Sequence, residues 1–141
     1  MNIWFDMDGT IADLYADEKW KEKLTAHDPS PYINAKPLLN MQALARVLNN
    51  LSRTGHTINV ISWLAIGSNE KYDNEVTNAK LDWLKKHLAS VEFTAIDIVA
   101  YGTPKHEGRN GILFDDDVRN REAWGLGAYD VNNIIDTLKS I

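Results

Sequence analysis

Cysteine is absent from the 141-residue chain, which leaves neither disulfides nor thiolate metal sites available to it. No uninterrupted apolar run is long enough to span a bilayer, and no membrane partner is expected. The opening residues lack the basic stretch and apolar core of a secretion signal, because acidic side chains begin at Asp6; the cytoplasm is the expected compartment. Basic charge is also short. Fifteen Lys and Arg stand against 20 Asp and Glu, for a net charge of −5. Non-specific binding to a nucleic-acid polymer runs on Lys and Arg neutralising phosphates, so the charge argues against that class of partner. It does not exclude a small phosphorylated substrate drawn in by a metal and one or two local cations. Internal repeats and low-complexity tracts are missing as well.

What is present reads as one globular domain over residues 1–141, with 44% apolar and 25% charged residues and a small cap-like insert at 14–37. Asn2 to Phe5 is a short, mostly apolar run with aromatics, the pattern of a buried strand. Ile11 to Ala26 carries Leu14, Tyr15, Trp20 and Leu24 among many charges and predicts an amphipathic helical segment. The breaker cluster His27-Asp28-Pro29-Ser30-Pro31 then opens an irregular passage to Pro37. Helical spacing returns from Leu38 to Arg53, closed by Gly55, and Thr57 to Ile61 is β-rich and ends in Ser62-Trp63. A helix is expected from Asp73 to His87, one or two strands over Val91–Phe93 and Ala95–Ala100, and a loop over 101–105. A further strand at Gly111–Phe114 runs into Asp115-Asp116-Asp117. A helical turn with Arg119 and Arg121, a brief strand at Ala128-Tyr129 and a last helix from Val131 to Lys139 complete the chain. Alternating strands and helices predict an α/β fold with a doubly wound, mainly parallel sheet.

Ligands of such sheets bind at the carboxyl ends of the strands. Four strand ends or adjoining loops carry polar groups: Asp6 with Asp8, Ser62, Lys105, and Asp115 with Asp116. Grouped carboxylates repel unless a cation sits between them, and hard Mg²⁺ with oxygen ligands is the natural occupant. Gly9 permits the backbone to curl there, and Thr10 can cap a following helix. A hydroxyl and an ammonium can hold phosphoryl oxygens, a metal-flanked carboxylate can attack phosphorus, and a second Asp can move the leaving group's proton.

The sequence DMDGT at Asp6–Thr10, the apolar strand closing on Ser62, the lone Lys105 and ILFDD at Ile112–Asp116 together resemble the four motifs of the haloacid dehalogenase (HAD) superfamily of phosphohydrolases. They stand in the family's order and span the chain. The resemblance implies Asp6 as nucleophile, Asp8 as general acid/base, and Ser62 and Lys105 as phosphoryl-oxygen ligands. It implies Mg²⁺ held by Asp6, the Asp8 backbone carbonyl, and Asp115 or Asp116. DMDGTIAD, AKLDWLKKHL at Ala79–Leu88 and FDDDVRN at Phe114–Asn120 look similar to bacterial and phage deoxyribonucleotidase-like members, with a reduced cap. That narrower likeness makes (deoxy)nucleoside monophosphates the favoured substrates.

Plainer readings stand beside these. Ser62 can simply end a strand, Lys105 can be a surface lysine with Lys71 as a poorer substitute, and Asp117 is expected to cap the next turn. Asp13 reads as structural. Tyr15, Trp20, Tyr32 and Trp63 suit either stacking on a base or packing. His27, His56, His87 and His106 share no spacing and read as surface groups. Alternative functions are a HAD-type phosphotransferase or sugar-phosphate phosphatase, a receiver-type signalling module, whose order of motifs differs, and a catalytically silent phosphate-binding domain.

Overall fold

The computed structural model describes residues 1–141. In chain order it contains β1 (Asn2–Phe5), β2 (Ala12–Asp13), α1 (Trp20–Thr25), α2 (Ser30–Ile33), β3 (Lys36–Pro37), α3 (Met41–Arg53) and β4 (Thr57–Trp63). It continues with α4 (Glu70–His87), β5 (Ala95–Val99), β6 (Ile112–Phe114), α5 (Val118–Trp124), β7 (Ala128–Tyr129) and α6 (Ile134–Lys139). Single 3₁₀ turns lie at Leu14–Ala16 and Val131–Asn133. Local chemistry sets the long helices. The Asn40 side chain caps α3 by accepting from the Ala43 N–H, and Asn69 caps α4 by accepting from the Tyr72 N–H. Glu70 and Asp73 in the first turn of α4, with Lys85 and Lys86 in its last, complement the helix dipole.

Five strands pair in the order β5-β4-β1-β6-β7, all parallel. The chain winds from β1 toward β4 and β5 on one side and through β6 to β7 on the other, so the strand order reverses at β1. A crevice therefore opens beyond the carboxyl end of β1. Ile3, Phe5, Ile58, Val60, Ile112 and Phe114 pack on one face against Leu44, Leu48, Trp83, Leu84 and Leu138 from α3, α4 and α6. Trp4, Ile61 and Leu113 point to the other face, against Trp124 of α5. This is the α/β, doubly wound parallel arrangement that the alternating pattern predicts.

Three local expectations need correcting. Ile11–Ala26 is not one helical segment: the N–H groups of Thr10, Ile11 and Ala12 all converge on the Met7 carbonyl, curling the chain into β2. Asp17 then starts α1 afresh, its carboxylate accepting from the Lys19 N–H at 3.0 Å. The passage to Pro37 is ordered, holding α2 and the short β3, which pairs antiparallel with β2. Val91–Phe93 is no strand, because Val91 turns back to bond the Leu88 carbonyl and buries its side chain in the main core.

The segment between β1 and α3 is tied to the body at several points. Leu14 and Tyr32 share a second core with Ala65, Tyr72, Val76 and Ala79. The Trp83 indole donates to the Ala35 carbonyl at 2.8 Å and the Tyr72 hydroxyl to the Asp28 carbonyl at 2.9 Å. His27, in a left-handed conformation (φ 56°), stacks on Tyr72. It donates from Nε2 to the Gly67 carbonyl at 3.0 Å and accepts at Nδ1 from Asn69 at 3.1 Å. His27 is thus a clasp, not a bystander on the surface.

Candidate active site

The carboxyl ends of β1 and β6 are adjacent, with Phe5 registered on Phe114, so the residues that follow them enter the same crevice. Asp6, Asp115 and Asp116 each present a carboxylate oxygen within 4.8 Å of the others. The backbone geometry needs Gly9: its φ is +81°, and a Cβ at that position would collide with the Asp116 carboxylate. Thr10 does not cap a helix. Its hydroxyl donates to Asp6 Oδ2 at 2.8 Å and accepts from the Asp116 N–H at 3.2 Å, lacing the two acidic loops together.

Lys105 reaches this cluster from the loop before β6. Its Nζ donates to Asp6 Oδ1 at 2.8 Å and to Asp115 Oδ2 at 2.7 Å, and its side chain is 2% exposed. The loop is braced by the Trp63 indole, which donates to the Thr103 carbonyl at 2.8 Å, and by Arg109, which forks onto Asp97. Lys71, by contrast, is exposed on the first turn of α4 and faces Glu75. Asp115 is held further by the Asp117 N–H and by the buried Asn120 amide. Asp117 caps α5, accepting from the Arg119 N–H, and the Arg119 guanidinium holds its carboxyl below the ordinary range.

Asp8 lies at the edge of the crevice and pairs with Lys80, not with the acidic trio; Lys80 Nζ is 2.9 Å from Asp8 Oδ2. Ser62 is fully buried and does not line the cavity; its Oγ accepts from Lys80 at 2.6 Å. Asp13 sits in β2 opposite Lys36, and His106 is exposed. The cavity itself, about 250 Å³, is lined by Asp6, Asp8, Lys105, Asp115 and Asp116. Tyr15, Trp20, Tyr32, Trp63 and Tyr101 wall it. Tyr15 meets Trp20 edge-on at 4.9 Å, and Trp63 meets Tyr101 at 5.0 Å.

The roles of Thr10, Asn120 and Lys80 were not legible from motif order. Lys80 had a signal: it falls in phase with Tyr72, Val76, Trp83 and Leu84, on the buried stripe of α4.

Electrostatics make the trio suited to a cation. Burial, then the neighbouring Asp6 charge, pushes Asp115 up to about 6, and the same causes push Asp116 up to about 8. Burial alone would lower Lys105, but Asp6 and Asp115 outweigh it and hold the ammonium above its usual value. Three carboxylates facing one ammonium leave uncompensated negative charge among oxygen-only donors, which fits a hard divalent ion such as Mg²⁺.

Because both Asp carboxyls are raised in the folded state, the native protein binds more protons than the unfolded chain between about pH 4 and about pH 8. Metal-free stability is therefore expected to fall as pH rises through that window, by less than the Asp116 shift implies because water screens its exposed side chain. Thermal melts in EDTA should show a lower Tm near pH 8 than near pH 5, with Mg²⁺ restoring it at the higher pH and Asp116→Asn flattening the dependence. Equal Tm values with and without Mg²⁺ would refute the cation site.

The fold is α/β and Rossmann-like. It is similar to the crystal structure of D,D-heptose 1,7-bisphosphate phosphatase from Burkholderia thailandensis, with a TM-score of 0.59 and 12% identity over 99% of this chain and 96% of that one. It is also similar to a chain in the structure of a Pnkp1/Rnl/Hen1 complex, with a TM-score of 0.52 and 19% identity over 92% of this chain and 45% of that one. At these identities the likeness is one of fold. No protein-family model and no curated protein matches the sequence.

Proposed function

We propose that the protein is a Mg²⁺-dependent phosphomonoester hydrolase that works through an aspartyl-phosphate on Asp6, with (deoxy)nucleoside monophosphates as its favoured substrates. The observation that carries this reading is the convergence of Asp6, Asp115 and Asp116 within 4.8 Å, with Lys105 bridging Asp6 to Asp115. Asp6, Asp115 and Asp116 would hold the ion, together with the Asp8 backbone carbonyl. When bound, it supplies charge neutralisation for the phosphoryl group.

The chain's own residues do the rest. Thr10 and Lys105 fix one oxygen each of the Asp6 carboxylate, so attack on phosphorus needs little reorganisation. The Asp6 oxygen–phosphorus bond forms as the bond to the leaving oxygen breaks. Asp8, raised above the ordinary carboxylate range by burial against the pull of Lys80, gives that oxygen a proton. Asp8 then takes a proton from water as the water attacks the phosphoaspartate, releasing phosphate and restoring Asp6.

The walls favour a flat, apolar leaving group. Tyr15, Trp63 and Tyr101 line the cavity, and Lys105 is its one basic lining residue. A second phosphate, as on a bisphosphate, would find no cation of its own there.

Phosphate release from deoxynucleotides, sugar monophosphates and a sugar bisphosphate, with and without Mg²⁺, tests the reading. Mg²⁺-dependent release, fastest from nucleoside monophosphates and slowest from the bisphosphate, is expected. No release from any substrate would favour a silent phosphate-binding domain, and a phosphoprotein lasting many minutes would favour a receiver-type module.

A further inference from the structure

Lys80 projects from the middle of α4 into the protein, its side chain 1% exposed. Burying an ammonium costs several kcal/mol unless the surroundings repay it, so a merely space-filling role at this position would suit Met or Leu better. Lys80 has three N–H donors and uses all of them: on Asp8 Oδ2 at 2.9 Å, on Ser62 Oγ at 2.6 Å and on the Trp63 carbonyl at 2.8 Å. The Tyr32 ring lies 5.2 Å from the same nitrogen. Two acceptors at the end of β4 thus fix the ammonium, and the third bond fixes Asp8.

The consequence lies in the other oxygen of Asp8. Asp8 Oδ1 makes no hydrogen bond to the protein, yet no buried side-chain polar atom lacks a partner, so Oδ1 is open to the cavity that Asp8 lines. We propose that Lys80 is the positioning residue of the reaction: it pins Asp8 by Oδ2 so that Oδ1 meets the leaving-group oxygen, and Ser62 serves this pin instead of the phosphoryl group. The inference rests on the hydrolase reading above, in which Asp8 moves the leaving group's proton.

A residue that acts only through Asp8 matters most where the leaving oxygen needs a proton. Lys80→Met should lower kcat/KM for an alkyl ester such as a deoxynucleoside 5′-monophosphate by about 10²-fold, the scale of general acid catalysis. It should lower that for p-nitrophenyl phosphate, whose leaving group departs unprotonated, by less than about fivefold. Asp8→Asn should show the same split, and the double variant should be no slower than Asp8→Asn alone, as expected for residues working as one unit. Equal losses on both esters, or multiplied losses in the double variant, would overturn the proposal.

Thermal melts of the same three variants read the contact without turnover. Each single change strands a buried charge, so the double variant should melt higher than Lys80→Met. Should Lys80→Met fail to fold, the ester comparison passes to Lys80→Gln, which keeps donors for Ser62 and the Trp63 carbonyl. A wild type inactive on every ester overturns the hydrolase reading, whereas additive melts overturn the pin.

Discussion

Asp6→Asn should reduce phosphate release by at least about 10³-fold while making the metal-free protein harder to unfold. On the proposed mechanism the first effect follows from the loss of the attacking oxygen, as in other covalent mechanisms. The second follows from charge. Asp6 is the leading charged neighbour that raises both Asp115 and Asp116, so its neutralisation relieves repulsion that burial cannot screen. Lys105 keeps Asp115 as its partner in this variant. Phosphate release together with a melt in EDTA checks both halves. A variant that is inactive and also less stable would instead point to misfolding, and one with wild-type turnover would remove Asp6 from the reaction.

Lys105→Met is the second large effect, and its sign in stability is opposite. The ammonium is the only positive charge bonded to both Asp6 and Asp115, and all three side chains are buried. Breaking such a network from one side leaves uncompensated charge, at a cost of about 3–5 kcal/mol. Mg²⁺ and acid should each recover part of the loss, the first by replacing the missing positive charge and the second by protonating Asp115. Denaturant unfolding in EDTA, in Mg²⁺ and near pH 5 separates these contributions. An unfolding free energy within about 1 kcal/mol of the wild type in EDTA would show that the trio tolerates its own repulsion.

The contrast between Lys105 and Lys80 explains which parts of the site can be read from sequence. Strand ends are easy to place, because a parallel sheet gathers them whatever the length of chain between them; Asp6 and Asp115 met for that reason. Lys105 could be grouped with them by its loop position alone. Lys80 lies within a helix whose neighbouring residues include Lys85 and Lys86, and a charge among charges reads as solvated. Only its phase on the buried stripe betrays it. Ser62 shows the complementary failure: its place at the end of β4 is as expected, but side-chain direction and burial, which set it against Lys80 and off the cavity wall, are tertiary facts. Thr10 and the segment through β2 to α1 depart from the helical expectation because local hydrogen bonds to Met7 and Asp17 redirect a chain whose apolar spacing suggests a helix.

The clasp at His27 bears on how molecules come and go. The strip between β1 and α3 is fastened by β2–β3 pairing at its ends, by Trp83 and Tyr72 along its length, and by His27 at Gly67 and Asn69. The rings of Tyr15 and Tyr101 that line the cavity are half-exposed, and exposed side chains of this kind change rotamer within nanoseconds, far faster than any swing of the backbone.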